Sequence, residues 1–100
     1  MSGYDVDHEV KLVQWHIKRL GKDNGDGTYN ITFGDLFNDE VVEQIFESLV
    51  GSLKAAKRRN IIHFDGMLLL MPTHKDVIIH LKVPLPADEP EPHPPVPTAR

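Results

Sequence analysis

Seven of the chain's eight prolines fall between Pro84 and Arg100, and this division limits the fold more than any other feature. That stretch carries three acids and almost no large apolar residue. It cannot bury enough surface to offset the entropy of ordering it, so it is expected to be a disordered or polyproline-II tail. A single folded unit of residues 6–83 remains, about the size at which a domain is stable but has little spare core for a deep cleft. The chain has no cysteine, which excludes disulfides and thiolate metal sites. The N-terminus has no basic start followed by an apolar run, and the longest apolar stretch is 67–71. Neither a signal peptide nor a membrane span is expected, and the default reading is a cytoplasmic monomer. Net charge is −4, which opposes general nucleic-acid binding.

Within 6–83 the apolar spacing predicts a first helix over 8–20. Asp7 is the expected N-cap, Val6, Val10, Val13, Ile17 and Leu20 the buried stripe, and Gly21 the stop. A polar turn over 22–28 leads to an alternating strand at 29–33 and one helical turn at 34–37. Asp39 is expected to cap a long helix over 40–59, with a possible kink at Gly51. The runs 61–64 and 67–70 flank Asp65-Gly66 and predict a β-hairpin, and 77–83 alternates as a last strand. The expected class is α+β, winged-helix-like, with three helices and a small antiparallel sheet.

The residues with chemistry are mostly cationic. Lys54, Lys57, Arg58 and Arg59 close the long helix. Lys54 and Arg58 lie one turn apart, away from the Leu49–Leu53 stripe, with Lys57 at its edge. Such a patch suits an acidic partner and would weaken with salt. It equally complements the helix dipole, because Glu40, Glu43 and Glu47 occupy the first half. Lys18, Arg19 and Lys22 form a second basic cluster, which matters only if folding sets it beside the first. Trp15 projects away from the first helix's stripe with His8, Leu12 and Arg19. It is either a partner hot spot or covered by the chain's own sheet or tail. The loop 22–29 resembles a calcium loop but places Lys22 and Phe33 where carboxylates are needed, so no calcium site is expected. The six histidines show no metal-binding spacing, no nucleophile–base pattern is present, and no cofactor is implied. Pro92-x-x-Pro95 and Pro94-x-x-Pro97 could dock an SH3-type module, but the usual flanking base is misplaced.

Residues 46–59, Phe46-Glu47-Ser48-Leu49-Val50-Gly51-Ser52-Leu53-Lys54-Ala55-Ala56-Lys57-Arg58-Arg59, resemble the signature stretch of the costars family. Asp7-His8-Glu9-Val10, Arg19-Leu20-Gly21, Asp26-Gly27, Phe33-Gly34 with Leu36-Phe37, and Leu68-Leu69-Leu70 followed by His74 are similar to that family in the same order. The resemblance covers about residues 6–81. Met67 and Trp15 depart from it, standing where charged residues are common, as does the link 71–73. The family's domain also closes the striated muscle activator of Rho signalling, as an actin-binding region. The resemblance implies a winged-helix-like, non-enzymatic module of the actin cytoskeleton and cell motility, partnered by actin or an actin regulator. A winged-helix nucleic-acid binder is the alternative. Acids in the helix's first half, and Asp65 at the expected wing tip, oppose it.

Overall fold

The computed structural model describes residues 5–92. Helix α1 (Val6–Leu20) starts two residues earlier than the expected 8–20. Asp5, not Asp7, is the N-cap, and its carboxylate accepts from the His8 amide at 3.2 Å. Asp7 becomes a first-turn acid that favours the helix dipole. The expected stripe is buried or half-buried, but so are Glu9, Leu12, Gln14 and His16. The face predicted to look outward is therefore partly covered, with Leu12 buried, His8 and Trp15 half-buried and Arg19 exposed.

The polar turn adds a strand that the sequence pattern did not reveal. Strand β1 (Lys22–Asp23) pairs with β2 (Tyr29–Thr32). Asp23 and Asp26 turn their carboxylates onto the amides of Gly25 and Thr28 inside this loop. Gly21 is required by close approach. A Cβ there would lie 2.6 Å from the Ile17 carbonyl oxygen and 2.8 Å from that of Asn30. Thr32 ends β2 by capping α2 (Phe33–Phe37), its hydroxyl accepting from the Asp35 amide.

The long helix expected over 40–59 is two helices, so there are four in all among the described residues: α3 (Glu40–Ile45) and α4 (Leu49–Arg58) follow α2. Asp39 caps α3 as expected. The break lies at Phe46–Ser48 and not at Gly51. Phe46 turns extended and is buried, in edge-to-face contact with His16. Ser48 then caps α4 by accepting from the Gly51 amide at 3.1 Å. A serine cap and a buried aromatic together outweigh helix continuity.

The expected hairpin is also rearranged. Strand β3 (Ile62–His63) pairs with β4 (Ile78–Leu81), and 67–70 is not a strand. The turn at Gly66 does form, with φ 88°. The carbonyls of Phe64 and Gly66, however, accept from the Lys57 ammonium. Those acceptors are directed to α4 rather than to a partner strand. Of residues 67–70 only Leu69 enters the core. The run is uniformly apolar where a half-buried strand would alternate. The sheet is four-stranded and antiparallel in the order β1-β2-β4-β3. Ile31 opposite Ile79 and Ile62 opposite Leu81 face the core, while Asn30 opposite His80 looks outward.

Packing continues past Val83. Leu85 is buried, and Glu89 lies 3.5 Å from Lys11 of α1. Residues 93–100 of the expected tail, into which both P-x-x-P motifs run, lie outside the described residues. Among the described residues no helix is long and apolar enough to cross a membrane.

Gly21→Ala tests the close approach of α1 to β2. The added methyl should lower stability by about 1–3 kcal/mol, as overpacking does, read as a fall in the urea midpoint at unchanged slope.

Candidate functional site

Helices α1 and α4 run antiparallel. Asp7 meets Arg59, Glu9 meets Ser52, and His16 meets Phe46. This pairing decides where the cations go. The basic end of α4 lies at the start of α1, whereas Lys18, Arg19 and Lys22 lie at its far end. Residues 7 and 19 are about 18 Å apart along the helix axis at the usual rise per residue. The fold therefore does not bring the two basic clusters together.

Internal partners then sort the cations within each cluster. The Arg59 guanidinium is 2.7 Å from the Asp7 carboxylate. The Lys57 ammonium donates to the carbonyl oxygens of Phe64 at 2.7 Å and Gly66 at 2.8 Å, and lies 4.1 Å from the centre of the Phe64 ring. Hydrogen bonds from a charged donor and a cation–π contact make Lys57 a clamp between α4 and the loop. Lys54 and Arg58 have no ion pair among the described residues. With Lys57, Phe64, Gly66 and Met67 they line a cleft of about 410 Å³. Asn60, with φ 61°, follows the end of α4 in the left-handed conformation and turns the chain into β3.

At the other end of α1, the Arg19 Nε donates to His16 Nδ1 at 3.0 Å, and its terminal nitrogen donates to Asp39 at 2.7 Å. Arg19 thus joins α1 to the cap of α3. Burial, and then the adjacent Arg19 charge, push the His16 imidazole below its ordinary value. Glu91 and Asp39 oppose that shift. Trp15 is half-buried in a cleft of about 340 Å³ shared with Lys18, Arg19, Leu85, Pro86 and Ala87. Its indole nitrogen is buried without an acceptor among the described residues. Lys22 lines a separate cleft that also holds Asp35 and Ile78.

The family described as Costars matches residues 5–82. The chain belongs to the costars family. A costars family protein, ABRACL, of Bos taurus is 54% identical over 77 residues, which are 77% of this chain and 95% of that protein. Protein costars of Dictyostelium discoideum is 52% identical over 77 residues, covering 77% and 94%. The solution structure of the human HSPC280 protein superposes with a TM-score of 0.72 at 50% identity, covering 82% of this chain and 96% of that one.

In this costars domain the eight residues singled out by sequence fall into four settings: the end of α4 with its cleft, the α1–α3 junction, the Trp15 cleft and the separate cleft of Lys22. The pattern missed Phe64 and Met67 as walls of the first. The signal for Met67 was its place in an apolar run too continuous for a half-buried strand. It also missed Asp7 and Asp39 as partners of Arg59 and Arg19. Among the described residues, no three His, Asp or Glu side chains converge as metal ligands would.

Lys57→Met should cost about 1–3 kcal/mol in urea unfolding, because it removes two charged-donor hydrogen bonds, whereas Lys54→Met should stay within about 0.5 kcal/mol. For His16, the folded state resists protonation more than the unfolded state does. Stability should therefore be full above the ordinary imidazole value of 6.5 and fall as pH drops below it. His16→Gln should flatten that part of the stability–pH curve, whatever its effect at neutral pH.

Proposed function

We propose that this costars domain is a non-enzymatic, cytoplasmic regulator of the actin cytoskeleton. It docks on actin, directly or through an actin regulator, by way of the α4 cleft, and so modulates actin dynamics and cell motility. Family membership supports the class of function. One observation carries the site: Lys54 and Arg58 are the two cations at the end of α4 with neither an ion pair nor a side-chain hydrogen bond among the described residues. Lys57 is committed to holding the loop and Arg59 to Asp7, so neither is the leading contact. Arg19 is held by Asp39, and the second cluster lies at the far end of α1. Exposed cations steer association with an acidic surface and are screened by salt.

We further read α1, α4 and the β3–β4 pair as a winged-helix-like layout. As a nucleic-acid binder such a layout would face phosphates with a net charge of −4 and with a fully exposed Asp65 at the loop.

Co-sedimentation with filamentous actin at two salt concentrations tests the reading. The parent chain should pellet more at low salt. A Lys54→Glu/Arg58→Glu variant, shown to be folded by circular dichroism, should bind at least about tenfold more weakly, since like charges across an interface are costly. Equal pelleting of both would exclude the α4 cleft as the contact. Failure of the parent to pellet would exclude direct filament binding.

A further inference from the structure

The wall opposite Lys54 and Arg58 is apolar. Met67 is 83% exposed and Leu68 58%. A single exposed apolar side chain is ordinary, but here Met67 lines a cleft that holds unpaired cations, and Leu68 follows it in the chain. The loop that carries them is pinned. Lys57 grips the carbonyls of Phe64 and Gly66 from below, and Phe64, itself buried, lies under the ammonium. Met67 is thereby presented from a fixed backbone while its own side chain stays adaptable. The loop's one acid, Asp65, is engaged with His63 at 3.1 Å, and no carboxylate lines the cleft.

Other exposed apolar residues lack this setting. Ile78 shares its cleft with Lys22, but Asp35 is there as well. Val41 stands on α3 beside Glu40. Only the α4 cleft joins unpaired positive charge, exposed apolar surface and a braced backbone among the described residues.

We propose that the α4 cleft is a two-part groove for an acidic segment of the actin filament that carries a protruding apolar side chain. Lys54 and Arg58 take the carboxylates, and Met67 covers the apolar side chain. This rests on the actin reading above and adds what that reading lacks, a contact that salt does not screen. Charge complementarity selects the occupant: the cleft has cations without counter-charges, on a chain that is acidic overall. The apolar rim supplies affinity once the charges have oriented the pair.

The test uses the full chain and filamentous actin at low and high salt, with Met67→Ser, Lys54→Ala and Val41→Ser. Met67 is so exposed that its replacement leaves the fold intact, which urea unfolding checks. Met67→Ser should raise the dissociation constant about tenfold at both salt concentrations, the scale of burying one apolar side chain. The Lys54→Ala effect should shrink at high salt, and Val41→Ser should bind like the parent. If the parent pellets and Met67→Ser pellets equally well, the two-part groove is wrong while the actin reading stands. The same holds if Val41→Ser loses as much as Met67→Ser, since the effect would then be general. If the parent does not pellet at all, direct filament binding fails and the groove proposal fails with it.

Discussion

Helix α1 has very little surface left for solvent, and the rest of the structure is arranged around that fact. Of its 15 residues, Glu9, Gln14 and His16 are polar and buried together with Val10, Leu12, Val13 and Ile17. A buried polar group is costly unless it is satisfied, so each of the three has to find a partner on another element. Glu9 accepts from the Ser52 hydroxyl and fixes the height of α4. Gln14 donates to the Val83 carbonyl and fixes where the chain leaves β4. His16 receives Arg19, which reaches on to the Asp39 cap of α3. Three polar contacts from one helix thus register α3, α4 and the exit of the sheet, and apolar packing fills the space between.

What the sequence disclosed was local. The period of α1, the alternation of β2 and β4, the Asp39 cap and the turn at α2 each depend on residues within a few positions, and each was readable. The division of α3 from α4 was not, because it turns on Phe46 being buried beside His16, thirty residues earlier. With that contact unknown, Ser48 reads as one more helix residue and not as a cap. The hairpin failed for a similar reason. Asp65-Gly66 does make its turn, yet an ammonium seven residues upstream takes the carbonyls that a second strand would need. Strand β3 then pairs with 78–81, whose alternation was visible but whose place between β2 and β3 was not.

The candidate site was legible as a list of cations and illegible as a surface. Four positive charges at a helix end look equivalent in sequence. Folding ties one to an aspartate at the opposite terminus of the domain, sets another to bracing a loop, and leaves two available. The apolar half of the cleft was hidden by its assignment to a strand. Trp15 shows the same limit. Its projection off the stripe was readable and cover by the chain beyond Val83 was one of the alternatives, but composition could not choose between that cover and a partner.

The antiparallel run of α1 against α4 has a consequence for how this molecule meets an acidic surface. Carrying four net negative charges, the chain as a whole is repelled. However, Lys54 and Arg58, the two cations of α4 with neither an ion pair nor a side-chain hydrogen bond among the described residues, sit together at the end of that helix. Within a screening length of about 8–10 Å such an object feels a torque before it feels net attraction. Most collisions would be turned away, and those that arrive with the end of α4 leading would be drawn in. The domain then behaves as an electrical vane, discriminating by angle of approach and not by overall charge.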